Sequence, residues 1–396
     1  GRLKVEAGDC ASAIGAGSRG ASQGTVEISG GIFAWKPSDD WLVDEHLIIS
    51  NNPDTSTCVE YPWIVVPTVC VTLGRELDNV TATCTYGDGS VTNAISGTSF
   101  VVPMGLPFKV LFAPKSSAFE LVGPSIYESD GVGEDANLTA EQVPVAKVAP
   151  VEYVDADGLV RTCVDSDAVS DKTPELKSGW YVVADKVSRG SLAVKGNVHL
   201  ILMDGCELTA IAEDEGSKAG IAVDSGDSLA IYGQKNGTGK LTAKGCLWAA
   251  GIGGQTPASW SGYGNCGSIT INGGTVTAMG GWGATGIGGG WGKGGGTAMI
   301  CGGAVTAKAG MQGESDVSGT VSISGGIFGM EPQDAWLAEK RMVVPNPDEA
   351  TQADYPWAVV PSYTVTIGTL SHLTAAWTSG DGSVTNEVEG AGFTVQ

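Results

Sequence analysis

The sequence predicts an all-β protein in which a parallel β-helix is joined to a small β-sandwich. The first observation behind this prediction is composition: 60 of the 396 residues are Gly, and short runs rich in Val, Ile and Thr end in turns rich in Gly, Asn and Asp. The second observation is a repeat of about 294 residues, and the third is a shorter repeat inside it.

The long repeat is visible in three segments. Residues 24–43 recur at 319–338 with 13 of 20 positions identical, and the motifs YPWxVVP and GDGSVTN each occur twice. The three spacings are 295, 294 and 293 residues. We therefore expect the chain to span about one and a third copies of a tandem unit, which is more typical of a surface or filament protein than of a free enzyme.

The short repeat predicts the β-helix. SITINGGTVTAMGG at 268–281 aligns with TAMICGGAVTAKAG at 297–310 after a shift of 29 residues, and related runs begin at Lys240 and Thr320. Each run contains a short strand that alternates polar and apolar side chains and ends in glycine. Because such a strand cannot bury its apolar face alone, we expect strands to stack at about 4.8 Å around one core, with three short strands per turn.

The remaining elements surround this β-helix. Short strands with turn signals between Thr68 and Gly123 predict the sandwich, a hairpin is expected to turn at Asp157-Gly158, and Pro-rich stretches are expected to cap open strand edges. The predicted order is the last turns of a preceding β-helix at 1–36, a cap at 37–67, an immunoglobulin-like sandwich at 68–143, a linker and hairpin at 144–177, the β-helix at 178–330, a cap at 331–361 and the start of a second sandwich at 362–396.

One known group of proteins shares these patterns. The runs GWYVV, VHLILMDGCELTA, LAIYGQKNGTGKLTA and ITINGGTVTA resemble the right-handed parallel β-helix modules of large bacterial surface and secreted proteins. The resemblance covers roughly residues 178–328 and the partial turns at 3–33. It implies a right-handed β-helix at the cell surface or outside the cell, whereas function stays open because adhesins, lyases and hydrolases share the architecture.

The charge balance narrows the expected partners. The sequence has 44 Asp and Glu against 22 Lys and Arg, a net charge of -22, which opposes binding to nucleic acid and anionic lipid. It has no run of eighteen apolar residues, so we expect no membrane insertion by this segment. The expected partners are glycans, a host or neighbouring-cell surface, and tandem copies of the chain. We expect no cofactor, although the acidic charge is compatible with loosely bound calcium.

A glycine-rich stretch formally matches a nucleotide-binding loop. Gly290, Gly292 and Gly295 satisfy GxGxxG, but that site needs a helix after the glycines, and here the strand-like TAMIC follows. Lys293 is followed by Gly294 and not by the Ser or Thr of a phosphate-binding P-loop. We therefore interpret the stretch as corner turns of the β-helix.

Tryptophans near these corners are the candidate ligand-binding residues. Trp248 and Trp282 follow equivalent strands, while Trp260 and Trp291 follow equivalent GIGG runs, with Tyr263 nearby. Stacked turns would place them in two short aromatic ladders, and exposed rings suit the apolar faces of sugars. The alternative is that these rings only cover bare glycine backbone. The remaining tryptophans considered are assigned to cap or hairpin cores: Trp35, Trp41, Trp63, Trp180 and Trp357.

Catalytic and metal-binding residues are not predicted. The carboxylates tested for hydrolase or lyase chemistry are Glu213, Asp214, Glu215, Asp224 and Asp227. No Asp pair recurs on neighbouring strands, and Arg189 is the only Arg between Trp180 and Cys301. The three histidines, His46, His199 and His372, each stand alone, and His199 is expected to face outward.

Cysteine usage suggests one disulfide. The nine cysteines form no CxxC motif. Cys70 and Cys84 fall on consecutive predicted strands, and both are replaced in the second copy, by Thr364 and Trp377. Their joint absence suggests a Cys70–Cys84 disulfide, which would indicate an oxidising compartment.

These observations predict a non-catalytic, extracellular or cell-surface repeat protein, structural and adhesive, that binds glycans through loop aromatics. Two alternatives stay open. One is a carbohydrate-active β-helix hydrolase or lyase, which needs two carboxylates in a concave site or an acid–base pair near calcium. The other is a pure structural spacer or filament subunit without a ligand.

Overall fold

The computed structural model describes residues 2–3, 26–51, 60–86, 91–212, 216–255, 264–291, 295–313, 315–366, 376–379, 384–387 and 392–395. The described residues form strands, turns and two 3-10 helices of three residues, Asp39–Trp41 and Asp334–Trp336. The prediction of an all-β chain is therefore confirmed. The chain divides into two compact units, Gly1–Ala149 and Pro150–Gln396.

The first unit contains twelve described strands. They are β1 Arg2–Leu3, β2 Gly31–Phe33, β3 His46–Ser50, β4 Trp63–Leu73, β5 Val80–Tyr86, β6 Val91–Ile95, β7 Ser99–Pro103, β8 Phe108–Pro114, β9 Phe119–Val122, β10 Ile126–Ser129, β11 Ala136–Leu138 and β12 Val145–Val148.

Two sheets of the first unit share one hydrophobic core. β4 pairs antiparallel with β2, β3 and β7 and parallel with β11, and the second sheet has the order β10-β8-β5-β6. Alternate side chains from both sheets meet in the core, among them Val71 of β4 and Val110 of β8. β4 runs through the predicted boundary at 67/68, and β12 pairs with β9 where a linker was predicted. Main-chain pairing thus continues across both predicted boundaries.

The second unit contains the remaining described strands. They are β13 Val151–Val154, β14 Val160–Cys163, β15 Asp167–Ala168, β16 Glu175–Leu176, β17 Gly179–Val183, β18 Lys186–Arg189, β19 Leu192–Val194, β20 Asn197–Leu202, β21 Glu207–Ile211, β22 Ile221–Val223, β23 Ser228–Gly233, β24 Lys240–Lys244, β25 Ile252–Gly253, β26 Ser268–Ile271, β27 Thr275–Met279, β28 Ile287–Gly288, β29 Thr297–Ile300, β30 Ala304–Lys308, β31 Thr320–Ile323, β32 Gly326–Phe328, β33 Arg341–Pro345, β34 Trp357–Pro361, β35 Tyr363–Thr366, β36 Ala376–Ser379, β37 Val384–Glu387 and β38 Gly392–Val395.

Most of these strands belong to three sheets with parallel pairing. The first sheet has the order β15-β17-β20-β23-β26-β29-β31, the second β18-β21-β24-β27-β30-β32-β34-β33, and the third β16-β19-β22-β25-β28. From β17 to β30 the chain visits the first, second and third sheets in this constant order. Every sheet therefore gains its next strand after one pass through the other two, which is compatible with the predicted β-helix.

Side-chain alternation explains why these strands pack. In β24 the buried residues are Leu241 and Ala243, and in β27 the residues in register with them, Val276 and Ala278, are buried as well. Burying one Leu or Val contributes about 1.5–3 kcal/mol, so a column of such residues stabilises parallel stacking. Glycine permits the close approach of the turns, because a Cβ at Gly281 would overlap the carbonyl oxygen of Cys246.

The second sheet ends in an antiparallel cap. β34 pairs with β32 and β33, so the edge of β32 is covered. The first unit repeats this arrangement, since Gly31 faces Val65 as Gly326 faces Val359. A buried asparagine supports each cap. Asn51 Nδ2 donates to the carbonyl of Tyr61, and Asn346 Nδ2 donates to the carbonyl of Tyr355. The long sequence repeat is therefore also a structural repeat.

Candidate functional site

The candidate site is built on the turns that follow β24, β27 and β30. These strands lie side by side in register, so Lys244, Met279 and Lys308 are neighbours at their carboxyl ends. The turns continue the same stacking, because the amide of Trp248 donates to the carbonyl of Trp282 over 3.0 Å. The backbone of each turn is thereby tied to the next one.

The turns place the tryptophans in two adjacent columns. The amide of Gly283 donates to the carbonyl of Met311 over 2.7 Å, just as Trp248 does to Trp282. Leu247, Trp282 and Met311 therefore form one column, and Trp248 and Gly283 begin the next. The two tryptophans follow equivalent strands as predicted, but they stand one position apart and do not form a ladder of stacked rings.

The second column has a left-handed backbone in all three turns. The φ angles are 60° at Trp248, 73° at Gly283 and 62° at Gln312. This conformation suits glycine, whereas a bulky side chain adopts it rarely and at a cost of about 1–2 kcal/mol. The turn therefore holds Trp248 in a backbone conformation that a bulky residue disfavours.

The indole rings contact one another and cover bare backbone. The ring of Trp248 lies 6.3 Å from Trp282, edge to face, and 6.2 Å from Trp291, measured between centroids. Trp291 lies over Gly283, since a Cβ added there would be 2.5 Å from Trp291 Cδ1. Trp291 therefore covers the backbone of Gly283, which agrees with the interpretation that these rings cover bare glycine backbone.

Part of this cluster also faces solvent. Trp282 is 37% exposed and Trp291 40%, and they adjoin Leu247 at 51% and Met311 at 78%. We call Leu247, Trp248, Trp282, Trp291 and Met311 the tryptophan surface. Isolated exposed apolar side chains are ordinary, but a contiguous group on consecutive turns is a feature of binding sites. The other two predicted ligand-binding residues, Trp260 and Tyr263, lie outside the described residues.

A second aromatic cluster lies on the outer face of the first sheet. Trp180 of β17 stacks on His199 of β20 with centroids 4.4 Å apart and planes at 16°. Tyr232 of β23 is 5.3 Å from Trp180, and its hydroxyl lies 3.1 Å from His199 Nδ1. Tyr153 of the β13–β14 hairpin packs 4.9 Å from both Trp180 and Tyr232. Burial lowers the pKa of His199.

This cluster attaches the hairpin to the sheet. Val182 and Ile201 point to the same outer face and are nevertheless fully buried. Trp180 is therefore a hairpin-packing residue, as predicted, and His199 faces outward, as predicted, but it is not isolated. The signal that sequence reasoning missed is an aromatic residue at an outward position in each of three neighbouring strands.

Two of the five carboxylates considered for catalysis, Asp224 and Asp227, hold a turn together. Lys195 Nζ lies 3.3 Å from Asp224 Oδ2 and 3.2 Å from Asp227 Oδ2. Asp227 Oδ1 also accepts the amide of Gly196 over 2.7 Å. Burial alone would lower the pKa of Lys195, but its hydrogen bonds to Asp227 and Asp224 raise it overall. The other three candidates, residues 213–215, lie outside the described residues.

The predicted Cys70–Cys84 disulfide is absent from the structure, where both cysteines are free. Cys70 lies on β4 and Cys84 on β5, but these strands belong to different sheets. Val69 and Val71 point into the core, so Cys70 between them points away, whereas Cys84 is buried in that core. The two strands follow each other along the chain without being neighbours in a sheet.

The glycine-rich stretch is followed by a strand. β28 ends at Gly288 and β29 begins at Thr297, whereas residues 292–294 lie outside the described residues. A dinucleotide site would need a helix after its glycines, so this observation supports the corner-turn interpretation. Within the described residues no group of three or more His, Cys, Asp or Glu side chains is arranged to hold a metal ion.

A groove of about 670 Å³ opens at the amino ends of β24, β27, β30 and β32. Thr275, Ala304 and Ile327, in register on neighbouring strands, form its floor. The loop from Asn346 to Tyr355 supplies one wall. The volume of the groove is typical of ligand sites. This groove could not be predicted from the sequence, because the cap loop and the floor are far apart in the chain.

Comparisons of the chain with protein-family models, with curated proteins and with solved structures found no match. Among the described residues, no helix has the length and apolar character needed to cross a membrane.

Proposed function

We propose that this chain is a non-catalytic, extracellular adhesive module whose right-handed parallel β-helix presents a glycan-binding surface. The constant order in which the chain visits three parallel sheets supports the β-helix, because a chain winding around one core produces that order. The structural repeat of the cap supports a tandem array. An array of modules suits adhesion, since weak sites in one chain bind a multivalent surface together.

The observation that carries the proposal is the exposed tryptophan surface. Indole rings offer flat apolar faces that pack against the C–H faces of sugars. Trp282 and Trp291 keep more than a third of their surface in solvent on turns whose backbones are hydrogen-bonded to one another. A rigid platform lowers the entropy lost on binding, which favours a ligand that makes few hydrogen bonds.

The enzymatic alternative has less support. Asp224 and Asp227 both contact the ammonium group of Lys195 and organise a turn, so neither carboxylate is free to act as a proton donor to substrate. The spacer alternative differs from the adhesive proposal only in lacking a ligand. Binding measurements therefore decide between them.

A glycan array tests the proposal with four proteins: the wild type, Trp282→Ala, Trp291→Ala and the control Trp41→Ala. Trp41 is 36% exposed and lies in the first unit, so it controls for loss of any exposed indole. We expect the wild type and the control to bind the same glycans. Both variants of the tryptophan surface should lose about 5- to 30-fold in affinity, since an aromatic anchor contributes about 1–2 kcal/mol. Equal binding by all four proteins would refute the site, and absence of binding by the wild type would favour the spacer.

A further inference from the structure

The outer face of the second sheet carries an unusual set of side chains. In each strand the residues between the buried positions point outward, and a column of threonines runs along the centre: Thr209, Thr242, Thr277 and Thr306, on β21, β24, β27 and β30. The next position in the column is Gly329, where a Cβ would lie 2.5 Å from Thr306 Oγ1. Glycine there leaves a space beside that hydroxyl, and the carbonyl oxygen of Asp354 lies 3.3 Å from the same Cβ position.

The net charge of this face is opposite in sign to the net charge of the whole chain. The outward residues of β18, β21, β24, β27 and β30 include four lysines, Lys186, Lys240, Lys244 and Lys308, and one described carboxylate, Glu207. The whole chain has twice as many acidic as basic residues. The sheet therefore presents a local excess of positive charge on an acidic protein. We call the threonine column with Lys240, Lys244 and Lys308 the lysine–threonine face.

The three lysines of this face are available to a partner. Lys240, Lys244 and Lys308 are exposed, and among the described residues none forms an ion pair with them. Glu207 lies opposite Lys240, on the strand farther from the cap. Lys244 and Lys308 are two strands apart, or about 10 Å, which is close to the length of a disaccharide.

The borders of the face add two further contacts for a ligand. Its carboxyl edge leads directly into the tryptophan surface, because Leu247 follows Lys244 by three residues and Met311 follows Lys308 by three. Its amino edge opens into the groove described above, where Lys240 is the only charged residue among the described residues of the lining. Cations, hydroxyl groups and flat apolar rings are thus arranged on one continuous surface.

We propose that the lysine–threonine face binds a linear acidic polysaccharide, with carboxylates at the lysines, hydroxyl groups at the threonines and sugar rings against the tryptophan surface. The inference rests on the proposed glycan-binding function and names its ligand class. The negative charge elsewhere on the chain does not prevent this contact, because at physiological salt charges more than about 8 Å away are largely screened.

Isothermal titration calorimetry with the full chain tests the proposal. The acidic probes are octasaccharides of hyaluronan, alginate and polygalacturonate, the neutral probe is cellohexaose, and a dT octamer reports unspecific attraction of polyanions. The test variant is Lys240→Gln/Lys244→Gln/Lys308→Gln. The control, Lys109→Gln/Lys115→Gln/Lys147→Gln, removes the same charge from the first unit.

We expect at least one acidic octasaccharide to bind more tightly than cellohexaose and more weakly as salt rises. Since an exposed ion pair changes affinity by up to about fivefold, the test variant should weaken binding by about 10- to 100-fold, while the control leaves it unchanged. Three results would overturn the proposal: no binding of any acidic octasaccharide, equal losses in both variants, or equally tight binding of the dT octamer. If glycan-array binding through Trp282 persists in those cases, the proposed function stands and only the ligand class is wrong.

Discussion

The substitution Gly283→Ala tests how the tryptophan surface is built. Gly283 has a φ of 73°, and an added Cβ would lie 2.5 Å from Cδ1 and 3.2 Å from Nε1 of Trp291. Both features oppose any side chain at this position. Because the atoms in the way belong to an indole ring and not to the backbone, we expect the ring to move and the turn to survive.

The expected loss of stability follows from these two features. The left-handed backbone costs an alanine about 1–2 kcal/mol relative to glycine. Displacing Trp291 also weakens its contact with Trp248, and such aromatic pairs are worth about 0.5–1.5 kcal/mol. The free energy of unfolding should therefore fall by about 1.5–3.5 kcal/mol, which in a unit of this size lowers the unfolding midpoint by about 3–14 °C.

Differential scanning calorimetry measures the midpoint, and tryptophan fluorescence reports the displaced ring as an emission shift to longer wavelength. The matched control is Gln312→Gly at the equivalent position of the next turn, where φ is 62°. Relief of the left-handed strain should leave this variant unchanged or stabilise it by up to about 1 kcal/mol. A midpoint for Gly283→Ala within about 1 °C of the wild type, or a control that unfolds equally early, would refute the stacking of the turns.

Three other outcomes are expected. Because burial lowers the folded-state pKa of His199 below its unfolded value near 6.5, the free energy of unfolding should fall as pH decreases from about 7.5 to 5.5. Urea unfolding should show a smaller decrease in His199→Gln, and an equal decrease in the variant and the wild type would contradict the burial of this ring. Leu241→Ala, which empties a fully buried position, should lower the free energy of unfolding by about 2–5 kcal/mol in the same assay, and a loss below 1 kcal/mol would contradict the core assignment. Peptide mapping by mass spectrometry under non-reducing conditions should show no bond between Cys70 and Cys84. Iodoacetamide should label Cys70 well before Cys84, because burial raises the pKa of Cys84 to about 11, and equal labelling rates would contradict the buried position.

Local patterns made the strands of the second unit predictable. The runs KLTAK, TVTAM and AVTAK became β24, β27 and β30, with Leu241, Val276 and Val305 buried in register. The two-residue period of a strand depends only on the backbone, so it can be read from sequence. The hairpin at Asp157-Gly158 was predictable for a similar reason, since Asp155 Oδ1 accepts the amides of Asp157 and Leu159 within the turn itself.

The candidate site was predictable only in part. The sequence indicated aromatic side chains near glycine turns, but it aligned Trp248 with Trp282, whereas the hydrogen bonds between turns align Trp248 with Gly283. The neighbours of Lys244 and Lys308 across the sheet likewise depend on pairings between strands about 30 residues apart. No local pattern specifies those pairings, so the lysine–threonine face was not visible before the strands were assembled.

The sequence by itself determined the β class, the long repeat and which face of each strand is apolar, because these depend on composition and on the backbone period of two. Only the tertiary structure decided which strands are neighbours. That choice separates Cys70 from Cys84, brings Tyr153 onto Trp180 and aligns the turns of the tryptophan surface. It is made by the burial of side chains distant in the chain, and such burial has no signature in any short stretch of residues.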